Sequence, residues 1–194
     1  SLAGRAWLQD ISDQQVLVAD SQLHQRLLAQ DPIQWRSRNL VQVPDDLDTI
    51  EFMIGDRASH LERSGTSWIM TEPVQTRADS EAIERLVHPL SRAGNSAFML
   101  DQPEELGIFG LDPPQASLVL SGSGGRHTVL LGNPIELDSE DRYGMVEGVP
   151  TIVRIDQATQ STLFPPEYAL LDPTGSDARP EDVRWIEIRL PEGT

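Results

Sequence analysis

The chain has 194 residues, enough for one large domain or two small ones, with 38% hydrophobic, 24% charged and only 5% aromatic residues, so its core must rest on Leu, Ile and Val. Its 31 acidic against 15 basic side chains leave a net charge of −16, which repels phosphate backbones and anionic lipid and argues against nucleic-acid binding; a basic partner or weak cation binding is the alternative use of a charge that otherwise serves solubility. Cysteine is absent, which removes disulfides, thiolate metal sites and a cysteine nucleophile, and no run approaches the ~20 apolar residues of a membrane span.

In chain order, Val16-Leu17-Val18 reads as a strand, and Asp20 is placed to cap a helix carrying Leu23, Leu27 and Leu28 that stops before Asp31-Pro32. Ile50, Phe52 and Ile54 alternate with polar or tolerant neighbours and predict the next strand. Ser59–Arg63 and Ser67–Thr71 make a hairpin around Ser64-Gly65-Thr66. Asp79 caps the clearest helix, where Ile83, Leu86, Val87 and Leu90 form one apolar stripe; Pro89 bends or ends its last turn. Asp101-Gln102-Pro103-Glu104 has the acidic cap and following glutamate of a short helical turn through Leu106. Hairpins follow at Ala116–Leu120 with Thr128–Leu131, and at Tyr143–Glu147 with Thr151–Ile155. Asp156 starts a last helix that ends at Phe164-Pro165-Pro166, and Ile186 and Ile188 alternate as a further strand. The expected class is α+β: mainly antiparallel sheets with intervening helices, without the strict β-α alternation of a Rossmann-type domain.

The chain also repeats itself. Pro44-Asp45-Asp46-Leu47-Asp48-Thr49-Ile50-Glu51-Phe52 reads again as Pro180-Glu181-Asp182-Val183-Arg184-Trp185-Ile186-Glu187-Ile188, an offset of 136 residues (44 to 180). Val16 to Asp20 and Ile152 to Asp156 keep that offset, as do Leu27 and Leu163. The period is too long for a solenoid of small repeats, so duplicated strand-helix-strand units are expected. They divide the chain into a partial unit at 1–42 (end strand, helix, linker), a central complete α+β unit at 43–156, and the beginning of the next at 157–194, packed as one or two lobes.

None of the reactive residue types stands in a catalytic or ligand-binding pattern. Gly122-Ser123-Gly124-Gly125 lacks the Gly-Lys-Ser/Thr ending and following helix of a phosphate loop and reads as a hairpin turn. His24, His60, His88 and His127 are scattered, with no two at ligand spacing. No Gly-x-Ser-x-Gly elbow is present. Asp45-Asp46-Leu47-Asp48 and Asp138-Ser139-Glu140-Asp141 lack the loop pattern of a calcium site and read as solvated turns. Of Trp7, Trp35, Trp68 and Trp185, Trp68 sits in a strand and belongs most simply to the core or a sheet face, with a sugar-stacking platform as the alternative. No catalytic, cofactor-binding or metal residue is assigned, and no cofactor is expected.

One ordered set of features goes beyond composition: Trp68-Ile69-Met70-Thr71-Glu72-Pro73, then Ala78-Asp79 and its helix, then Gly110-Leu111-Asp112-Pro113-Pro114, then Leu130-Leu131-Gly132, with Arg36-Ser37-Arg38-Asn39-Leu40 upstream. The order, over about residues 36–156, resembles the bacterial family called domain of unknown function 4340. The resemblance implies a membrane-anchored protein facing outward from the cytoplasm, with some members encoded beside ABC-type transport systems related to gliding motility, and it brings no catalytic residues. The expectation is therefore a non-enzymatic extracytoplasmic module (periplasmic or cell surface), anchored to the inner membrane by a segment outside this fragment. Its partners would be envelope or membrane transport-complex proteins, not nucleic acid. The alternative is a ligand-binding or hydrolytic domain with a carboxylate/His site between lobes.

Overall fold

The computed structural model describes residues 6–9, 16–19 and 32–173. The chain forms two compact units, 1–38 and 39–194. In the first, β1 (Ala6–Gln9) and β2 (Val16–Ala19) pair antiparallel, with Ala6 opposite Ala19, Trp7 opposite Val18 and Leu8 opposite Leu17. A 3-10 turn follows at Pro32–Trp35. The expected helix after Asp20 and the expected strand at 183–188 lie outside the described residues.

The second unit is built on a nine-stranded antiparallel sheet. Its strands are β3 (Leu47–Ile54), β4 (Arg57–Ser64), β5 (Ser67–Glu72), β6 (Thr76–Arg77), β7 (Ala97–Asp101), β8 (Ala116–Gly122), β9 (Gly125–Pro134), β10 (Arg142–Val146) and β11 (Thr151–Ile155). Their spatial order is β6-β5-β4-β3-β8-β9-β10-β11-β7. Two meanders, β3 to β6 and β8 to β11, thus join through the β3–β8 pair, and β7 closes onto β11 at the far edge. Short turns dictate this: Gly55, Gly65 and Gly148 supply the positive φ that tight antiparallel turns require. The three hairpins and the strand at Ile50–Ile54 read from sequence all lie in this sheet.

Helix α1 (Ser80–Leu90) forms as its stripe predicts. Asp79 accepts a hydrogen bond from Ala82 N at 2.9 Å, and Ile83 and Leu90 are fully buried while Leu86 and Val87 are partly so. Pro89 falls in the final turn, and the helix stops one residue later. Asp156 caps α2 (Gln157–Leu163) in the same way, accepting from Thr159 N at 2.8 Å. A 3-10 turn at Glu167–Leu170 follows the Pro165-Pro166 pair.

Both helices cover one face of the sheet. Ile83, Leu90, Leu163 and Leu170 meet Ile50, Leu61, Trp68, Met70, Leu118, Leu120 and Ile155 in a single buried cluster. The opposite face carries a smaller cluster of Leu111, Met145 and Ile152, edged by Phe109 and Tyr143, whose rings meet at 78° with centroids 5.0 Å apart.

The helical turn expected over Asp101–Leu106 does not form. Asp101 instead ends β7: its carboxylate accepts from Thr151 Oγ1 at 2.9 Å, and Gln102 N donates to Pro150 O at 2.8 Å. Pairing with β11 uses the groups that a helix cap needs, so the one-turn 3-10 helix begins later, at Gly107–Phe109.

Candidate functional site

Several of the residues singled out for possible chemistry bond or pack within the fold. Gly122 to Gly125 form the β8–β9 hairpin turn, and Ser123 Oγ donates to Asp46 Oδ2, tying that turn to the Asp45-Asp46 turn before β3. In the second acidic cluster, Asp141 is paired with Arg154 across β10–β11, its carboxylate accepting from Arg154 Nε at 2.6 Å. His127 Nε2 lies 2.8 Å from the Leu40 carbonyl; a carbonyl only accepts, so this nitrogen carries the proton. His60 Nε2 lies 3.0 Å from Glu62 Oε1, near enough for an ion pair but without hydrogen-bond alignment. His88 is exposed on α1, and His24 lies outside the described residues. Among the described residues no three His, Asp or Glu side chains gather as a metal-binding group.

Trp68 is 2% exposed and packs in the main core, with the Arg63 guanidinium 4.9 Å above its ring. Arg63 is held there by its own bond, Nε donating to Leu47 O at 2.9 Å. The indole N–H has no partner. Trp35 is exposed in the first unit, and Trp185 lies outside the described residues.

Two of the segments that carried the family resemblance meet in space. Gly110, in the left-handed region at φ 65°, has Asn133 packed where a Cβ would project, and Gly132 faces the Phe109 carbonyl and the Leu111 side chain with no room for a Cβ. The Gly-Leu-Asp-Pro-Pro turn and the Leu-Leu-Gly strand end are therefore two halves of one contact. Each needs glycine because the backbones approach directly. The spacing of these motifs in sequence gave no sign of it.

One feature of the surface was not read from sequence. Ile50, Phe52 and Ile54 share the helix-covered face of β3, yet they are 0%, 6% and 43% exposed in turn, because that face runs out from under its cover at the tip of the β3–β4 hairpin. Here a cavity of about 600 Å³ opens between Phe52 and Ile54 on one side and Phe164, Pro165 and Tyr168 on the other. A second cavity, about 420 Å³, lies against Asp56, Glu72 and Pro73, and Arg57 and Glu167 line both. The available signal was the pair Gly55-Asp56, a hairpin turn following an apolar alternation; it shows where a strand ends and not what lies across from it.

A family model described as "Domain of unknown function (DUF4340)" matches residues 68–194. The chain belongs to the DUF4340 family. The DUF4340 match opens at Trp68 and takes in the Asp79 cap, the Gly110 turn and the Gly132 strand end, all of which lie in the second unit; it omits residues 36–67 of the resemblance and continues to Thr194. No curated protein and no solved structure matches the chain. No helix among the described residues is long and apolar enough to cross a membrane.

Proposed function

We propose that this DUF4340 chain is a non-enzymatic binding module of a membrane-anchored envelope protein, acting outside the cytoplasm as an accessory part of a transport or motility-type complex, and built from duplicated units. The observation that carries the duplication is a shared register. In β1–β2 the pairs are Ala6↔Ala19, Trp7↔Val18 and Leu8↔Leu17; in β10–β11 they are Arg142↔Ile155, Tyr143↔Arg154 and Gly144↔Val153. Every position in the second set lies 136 residues after its counterpart in the first (6 to 142, 19 to 155), the offset that relates Pro44 to Pro180 in sequence. A one-residue slip would exchange the two faces of a hairpin, so an identical register speaks for a common plan.

The binding role is favoured by what the prominent side chains do. Asp79 and Asp156 cap helices, Asp141 and Arg154 pair across strands, and Trp68 fills the core. These tasks hold the named side chains in bonds and packing of the fold. The envelope and transport setting rests on the family likeness.

Two experiments test the reading. In the duplicated plan Asp20 stands where Asp156 stands, so Asp20→Ala is expected to cost about 1 kcal/mol of stability, like Asp156→Ala; an Asp20→Ala protein that melts as the parent does would sink the duplication. For the role, the full-length protein cross-linked in its native membranes should bring down components of one transport-type complex. A full-length protein recovered from the cytosol, with no envelope component attached, overturns it.

A further inference from the structure

The exposed end of the β3 core face, with the cavity beside it, has the form of a docking groove. Its walls are apolar and aromatic: Phe52, Ile54, Phe164, Pro165 and Tyr168, of which Tyr168 is 77% exposed. The adjoining cavity is acidic, with Asp56, Glu72 and Glu167 against the single guanidinium of Arg57. At about 600 and 420 Å³ the two hollows fall in the range of sites that accept side chains or small ligands.

Charge narrows the occupant. The carboxylates do not gather as a metal-binding group among the described residues. A second copy of the chain would bring a further −16 to the contact, and anionic lipid or nucleic acid would meet the same repulsion. A cationic, partly apolar partner is attracted by the same field and can fill both hollows at once. We propose that this groove docks a basic, extended segment of a partner protein, which sets an aromatic or aliphatic side chain between Ile54 and Tyr168 and a lysine or arginine beside Asp56, Glu72 and Glu167. The inference rests on the binding-module reading and adds to it a surface and a partner chemistry.

The test uses the full chain and three fluorescein-labelled ten-residue peptides followed by anisotropy: one alternating Lys with Trp and Leu, one with Glu in place of Lys, and one with Ser in place of the apolar residues. Only the first is expected to bind saturably. Tyr168→Ala should weaken it by about tenfold or more, as truncation of an aromatic anchor does. Glu72→Gln with Glu167→Gln should weaken it several-fold and flatten its salt dependence. All three side chains are exposed, so unchanged melting of the variants is expected and confirms that they fold. Absence of binding overturns the proposal, as does equal binding by the Lys/Ser peptide or an affinity indifferent to these substitutions. If full-length Tyr168→Ala protein keeps its membrane-complex partners, the groove is overturned while the module reading stands; if the parent protein has no such partners, the module reading itself falls.

Discussion

At the scale of single residues, Gly132 is a demanding position. Its missing Cβ lets the Phe109 carbonyl and Leu111 close over β9, so Gly132→Ala forces backbone to move against backbone. We expect that substitution to cost about 2–4 kcal/mol, read from urea unfolding, as overpacking at a buried contact does. Gly124, with open space at its Cβ position, is the control: Gly124→Ala should stay within about 0.5 kcal/mol. Trp68 makes a different case. Its buried N–H lacks an acceptor, and Trp68→Phe removes that unsatisfied donor along with some packing. The two effects oppose, so a loss of about 1 kcal/mol or less is expected, against about 3–5 kcal/mol for Trp68→Ala. A Phe variant as unstable as the Ala variant would show that the indole makes a bond the structure lacks.

At the scale of elements, the sheet order makes β3 and β8 the central pair and β6 an outer strand of only two residues. Backbone amides of Ile50, Leu118 and Leu120 should exchange slowest in deuterium, and those of Thr76 and Arg77 fastest, since opening β3–β8 requires both meanders to separate. Comparable protection at Thr76 and Leu118 would contradict this arrangement. Most elements were legible in the sequence because each is governed by neighbours: the Asp79 cap, the Ile83–Leu90 stripe and the turns at Gly65 and Gly148 act over a few residues. The turn expected at Asp101–Leu106 failed for the converse reason. Asp101 had the right local chemistry, but Thr151 and Pro150, about fifty positions on, claimed its carboxylate and the following N–H. Strand β7 itself was missed, since Ala97-Phe98-Met99-Leu100 has no alternation to announce it.

At the scale of the whole molecule, net charge is the property most readily varied in solution. With −16 on 194 residues, self-repulsion opposes the folded state, and screening relieves it. Raising sodium chloride from about 10 to about 200 mM should therefore lift the melting temperature by about 2–4 °C, the shift that roughly 1 kcal/mol produces at this size. A melting temperature that falls over the same range would mean that attractive ion pairs, such as Arg77–Asp172 and Arg154–Asp141, outweigh the repulsion. The same field draws a basic segment toward the groove, so salt should raise stability and lower peptide affinity together.

The sequence by itself determined the α+β class, the Asp79 and Asp156 caps, the three hairpins and, through the order of its motifs, the family resemblance; the first three follow from periodicity and from side chains acting on adjacent backbone. Tertiary structure alone decided the strand order, the closure of Gly110 and Gly132 on their partners, and the groove at Ile54 and Tyr168. Each of these depends on segments far apart in the chain approaching one another. Local propensity carries no record of that approach, whereas the shape left uncovered between packed elements is its direct product.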